Sequence, residues 1–190
     1  MRWKGRWITI PWLLFFLAVA FPVSAQRSLS DIPFFASGSQ AYRRGDFATA
    51  AAEFQRAWSV LGSQADAFDR SVVASRLIES LYQNGDGRTA VVWYRGIADM
   101  ALSREAQKWV ALSMLKAGYF EESIAFLETL TVEAGPDELR WISLLKAHAY
   151  FRFGNAEQAH EIVRSDSLVP ANPEEAFFFA GVAYEAKEWE

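Results

Sequence analysis

The chain has no cysteine, so it has no disulfide framework, no thiolate metal site and no thiol to carry a lipid. Histidine is nearly as scarce: His148 and His160 are the only two. A hydrolytic triad needs a histidine oriented by an acid beside a nucleophile, and nothing in the order of residues puts those groups together. No Gly-x-x-x-x-Gly-Lys phosphate loop occurs, and no dinucleotide-binding glycine fingerprint. There is no basic block either. Nineteen Lys and Arg stand against 23 Asp and Glu, a net charge of −4, which argues against a nucleic-acid partner because phosphate neutralisation dominates that affinity. Alternation of apolar and polar residues at period two, the mark of a half-buried strand, is missing over any useful length.

What is present is apolar. Over 190 residues, 52% are hydrophobic and 15% aromatic, enough for one continuous core. The first 25 residues form a separate unit. Arg2, Lys4 and Arg6 open it, an apolar run from Ile8 to Phe21 follows, and Pro22 precedes Val23-Ser24-Ala25. A positive start, a greasy middle and small residues at the end are the pattern of a secretory signal peptide. It predicts cleavage after Ala25 and a periplasmic or secreted product, with the net charge falling to −7 as three cations leave. The competing expectation is an uncleaved anchor, the one route to a membrane. Against it, the run is shorter than the ~20 residues a span needs, and Pro11 interrupts it. Gln26 to Ser30 is a polar lead-in.

From residue 31 onward the sequence is organised around one motif. In the stretch Tyr42 to Ala57, Gly45 marks a tight turn, and Phe47, Ala50, Phe54 and Ala57 then share one helical face. Small Ala50 and Ala57 admit a neighbouring helix, and Phe54 fills the space between them. The motif recurs at Gly85, with Ala90, Tyr94 and Ile97; at Gly118, with Ser123, Leu127 and Leu130; and at Gly154, with Ala159 and Val163. Seven and four residues ahead of each glycine stand small or apolar residues: Gly38 and Ala41, Ile78 and Leu81, Ala111 and Met114, Ala147 and Tyr150. This resembles the tetratricopeptide repeat (TPR), a helix–turn–helix unit of about 34 residues. Ser123, Asp166 and Lys146 depart from the family's preferred residues.

The resemblance implies an all-α fold: a right-handed α-solenoid of antiparallel helix pairs across residues 31–190. Its repeats are expected at about 31–62, 65–101, 103–133 and 136–166, with a partial fifth at 173–190. Helix signals fit these bounds. Ser30 or Asp31 with Pro33 suits the first start, Ser103 a later one, and Asn172-Pro173-Glu174-Glu175 the last. Gly135-Pro136 reads as a terminating glycine followed by a helix start.

Candidate chemistry is thin. Ser113-x-x-Lys116 and Ser143-x-x-Lys146 match one element of penicillin-recognising enzymes, but the Ser-Asp-Asn and Lys-Thr-Gly partners are missing. Glu157-x-x-His160 is one half of a carboxylate-bridged metal motif that needs two, and no second histidine follows to make a zinc-protease pattern. Asp46, Asp86, Glu121, Glu122 and Glu157 cluster at helix starts, where the helix dipole and solubility account for them better than calcium does. Neither an enzyme, a metal nor a cofactor is expected.

The resemblance also implies a concave groove lined by the first helix of each pair. By the family's register its residues are Tyr42, Arg43 and Ser39; Tyr82, Gln83 and Glu79; Leu115, Lys116 and Leu112; Phe151, Arg152 and His148; then Tyr184 and Glu185. A row of rings edged by cations suits a protein or peptide segment, since aromatic and Arg anchors dominate many interfaces. The competing expectation is that these rings pack against neighbouring units. Phe35 and Ser39 occupy two places where the chaperone-binding subclass carries its carboxylate clamp, so no such clamp is expected. The functional expectation is a non-catalytic interaction scaffold of the cell envelope. Two others stay open: a self-assembling homo-oligomer through Phe177, Phe178, Phe179 and Tyr184, and the recognition arm of a longer enzyme.

Overall fold

The computed structural model describes residues 29–62, 65–97 and 100–186; the leader and the last four residues lie outside them, and so do the expectations placed there. Among the described residues the chain is all-helical, without a strand. A 3-10 turn at Leu29–Asp31 precedes nine α-helices: α1 (Phe35–Arg43), α2 (Phe47–Leu61), α3 (Ala67–Gln83), α4 (Gly87–Gly96), α5 (Arg104–Ala117), α6 (Phe120–Thr131), α7 (Pro136–Phe153), α8 (Ala156–Ser165) and α9 (Pro173–Glu185). None is long and apolar enough to cross a membrane.

One turn is built four times. Gly45, Gly85, Gly118 and Gly154 all adopt left-handed backbone, with φ of 76°, 89°, 83° and 89°. Each glycine N–H donates to the carbonyl three residues back, at 3.0–3.2 Å. The next N–H donates to the carbonyl five back, at Ala41, Leu81, Met114 and Tyr150 (2.9–3.0 Å). This pair of bonds satisfies carbonyls that a helix end would leave orphaned, and only glycine reaches the conformation without cost. The residue after the glycine then starts the next helix. Asp46, Asp86 and Asn155 accept from the N–H groups of Thr49, Thr89 and Gln158 at 3.0–3.1 Å. Tyr119, in the same place, provides no side-chain cap.

Helices pack in two ways. Each meets the next along the chain, and α3 and α5, then α5 and α7, also meet directly. Two contacts join α2, α4 and α6 in the same fashion: Trp58 lies edge-on to Trp93 (6.2 Å), and Tyr94 to Phe126 (5.4 Å). Small residues set the spacing. Ala50, Phe54 and Ala57 are fully buried, and a Cβ on Gly38 would lie 2.9 Å from the Phe54 ring. Arg95 forks onto both carboxylate oxygens of Glu122, tying α4 to α6.

Three helix ends differ from the sequence expectation. The first helix begins at Phe35, not at Ser30 or Asp31. Ile32 is buried beside Ala57 and Val73, and seating it there turns the chain before α1 can start. Phe34 makes that reversal at a φ of 66°, with Arg56 over its ring. The second repeat, expected to run to about residue 101, ends its last helix at Gly96. Ile97 and Met100 still join the core, but from the connecting segment rather than from a helix. Gly135 belongs to the start of α7: Glu138 reaches back to accept from its N–H (3.2 Å). Ser103 and Asn172 cap α5 and α9 as the sequence suggests.

Candidate functional site

The residues singled out along α1, α3, α5, α7 and α9 sit mainly where one of these helices meets the next. Tyr42 of α1 donates its hydroxyl to Glu79 of α3 at 2.7 Å. Glu79 is only 9% exposed, and Arg76 one turn earlier pairs with it at 2.8 Å while lying over the Tyr42 ring. Burial first, then the bond to Glu79, raise the Tyr42 phenol to a pKa of about 12. The carboxylate therefore keeps its donor through the whole physiological range.

The next joint is similar. The Tyr82 ring of α3 lies against Trp109 of α5, with centroids 5.2 Å apart. Lys116 of α5 sits 4.7 Å over the same ring and donates to the Tyr82 carbonyl at 3.2 Å. Leu112 and Leu115 pack into the α5–α7 core. At the α7–α9 joint, His148 stacks flat on Phe178, with centroids 3.6 Å apart, and Phe151 meets Phe178 edge-on. Arg140 of α7 pairs with Glu175 of α9 at 2.7 Å. Burial, and then the charge of Arg152, push the His148 imidazole below its ordinary value; Glu175 opposes them weakly. Arg152 itself lies over Phe120 of α6, turned toward the second helices. Arg43 is exposed and has no ion pair among the described residues, and Tyr184 is 62% exposed.

Of the expected row, Tyr42 meets Glu79 and Tyr82 meets Lys116, while His148 and Phe151 meet Phe178; these rings are occupied in joining helices. Tyr42, Tyr82, His148 and Phe151 are all half-buried in these joints. The open space lies one and two helical turns further toward the N-termini of α3 and α5. There a cleft of about 470 Å³ is lined by Phe68, Val72, Arg76, Leu102, Glu105 and Trp109, among others. Of the groove residues named from the sequence only Glu79 reaches its lining, although a register signal for the others existed. Arg76 and Trp109 both stand nine residues ahead of their turn glycines, and Val72 and Glu105 thirteen ahead.

Of the two serine–lysine pairs, the first has its two side chains turned to different partners. The Ser113 hydroxyl donates to the Trp109 carbonyl of its own helix at 2.7 Å, while Lys116 turns to Tyr82. Lys146 lies 3.9 Å from Glu128. Among the described residues no group of three or more His, Asp or Glu is placed to hold a metal ion. Compared with known proteins, the chain matches no family model, no curated protein and no solved structure.

Proposed function

We propose that the chain is a TPR-like right-handed α-solenoid of antiparallel helix pairs, exported to the cell envelope, that acts as a non-catalytic scaffold. Its first helices form a groove that docks an extended segment of a partner protein. One observation carries this reading: Tyr42–Glu79, Tyr82–Trp109 and His148–Phe178, which join α1 to α3, α3 to α5 and α7 to α9, each include a residue of the register the resemblance assigns to the groove. Four identically bonded turns support the repeat, and the packing of α3 on α5 and α5 on α7 supports the stack. The rings hold the groove wall in place, which leaves the exposed side chains to make contact.

Photocrosslinking in cells tests it. A photoreactive residue in place of Arg43 or Tyr184 should capture a discrete envelope protein, and one in place of exposed Val92 on α4 should not. Equal capture from Val92, or none from the groove, would count against the reading. Tyr82 and Phe151 are poor probes, because truncating either strips a joint as well. A second reading, self-association through α9, is favoured by Phe177, which is 82% exposed beside exposed Tyr184. Light scattering of the purified chain separates the two.

A further inference from the structure

The cleft between the first halves of α3 and α5 carries a chemical preference. Its lining is mostly apolar: Phe68, which is 67% exposed, with Val72, Leu102 and Trp109. Two opposite charges at one side cancel, since Arg76 is held by Glu79 at 2.8 Å. That leaves Glu105. It is exposed and has no ion-pair partner among the described residues. A purely apolar side chain entering the cleft would dry Glu105 without compensating it. An acidic one would be repelled. A side chain with an aliphatic stem and a cationic head answers both demands, with its stem on apolar surface and its head at the carboxylate and the aromatic faces.

We infer that this cleft takes an arginine or lysine side chain from a basic, extended segment of a partner protein. The inference rests on the groove reading and gives that groove a charge preference. The opposite preference would follow from its other end, where Arg43 and Lys116 stand, so the two ends orient a bound segment: basic residues toward the starts of α3 and α5, acidic ones or carbonyls toward their ends.

The test uses the full chain and a labelled, end-blocked hexapeptide, Ser-Leu-Arg-Leu-Arg-Ser, with versions carrying Glu or Gln in place of Arg. Fluorescence anisotropy should find the basic peptide bound about tenfold tighter than the acidic one. Glu105→Gln should weaken the basic peptide about two- to fivefold and leave the Gln peptide unchanged. Phe68→Ala, at an exposed position that does not hold the fold, should weaken the basic peptide by about twofold or more. Three outcomes overturn the inference: no preference for the basic peptide, no effect of either substitution, or putrescine competing as well as the peptide. If the Gln peptide binds best and still blocks crosslinking at Arg43, the charge preference fails and the groove reading stands. If no peptide binds and no crosslink forms, both fail.

Discussion

Ser123 stands five residues after Gly118, where Ala50, Ala90 and Ala159 stand after their own glycines, and all four are fully buried. Its hydroxyl has no hydrogen-bond partner, so the position carries a desolvation cost that its three counterparts lack. Ser123→Ala should therefore raise stability by about 1 kcal/mol, seen as a melting temperature about 2–4 °C higher. A lower melting point would mean that the hydroxyl contributes to the fold after all. His148 makes the second residue-level case. Its imidazole is held below the ordinary 6.5, so an unfolding chain takes up a proton that the folded chain refuses. The unfolded state binds more protons in that window, and stability falls as pH drops below about 6.5. His148→Phe keeps a ring against Phe178 and removes the titration. Urea unfolding at pH 7.5 and 5.5 should show the wild type losing more on acidification than the variant does.

At the scale of the element, the turns were the legible part. Glycine followed by Asp or Asn, with an alanine four residues beyond, specifies a left-handed stop and a capped start in one stroke, and those signals are local. The end of α4 was not legible. Ile97 and Met100 continue an apolar spacing that reads as helix, yet a connecting segment buries them equally well. The start of α1 was hidden for a related reason: it depends on Ile32 finding Ala57 and Val73, a contact no local pattern announces. The sequence offered a register of rings and cations, but which of those rings would be used up in helix joints depended on packing across helices. Two glycine substitutions separate turn from helix. A Cβ at Gly118 meets nothing within 4 Å, so Gly118→Ala should cost about 1–2 kcal/mol from backbone conformation alone. Gly181 also has open space around it but lies inside α9 with ordinary helical φ, so Gly181→Ala should stabilise by up to about 1 kcal/mol. Chemical denaturation of the pair should give opposite signs; matching signs would refute the assignment of the turn.

Across the whole molecule, support is uneven. Helix α3 buries eight residues and touches α2, α4 and α5, whereas α9 buries Val182 alone and leans chiefly on α8. Native-state hydrogen exchange should therefore run as a gradient, with α9 amides opening first and those of α3 last. Uniform protection along the chain would indicate a single cooperative block instead. Among the described residues the substantial helix contacts join only neighbours and next-but-one elements. A ribosome delivers a polypeptide from its amino end, and here each newly arriving helix finds its docking surface already made by the one before. The chain never has to wait for its far end in order to begin folding, so a nascent product cut short between two units should still hold the units it already has.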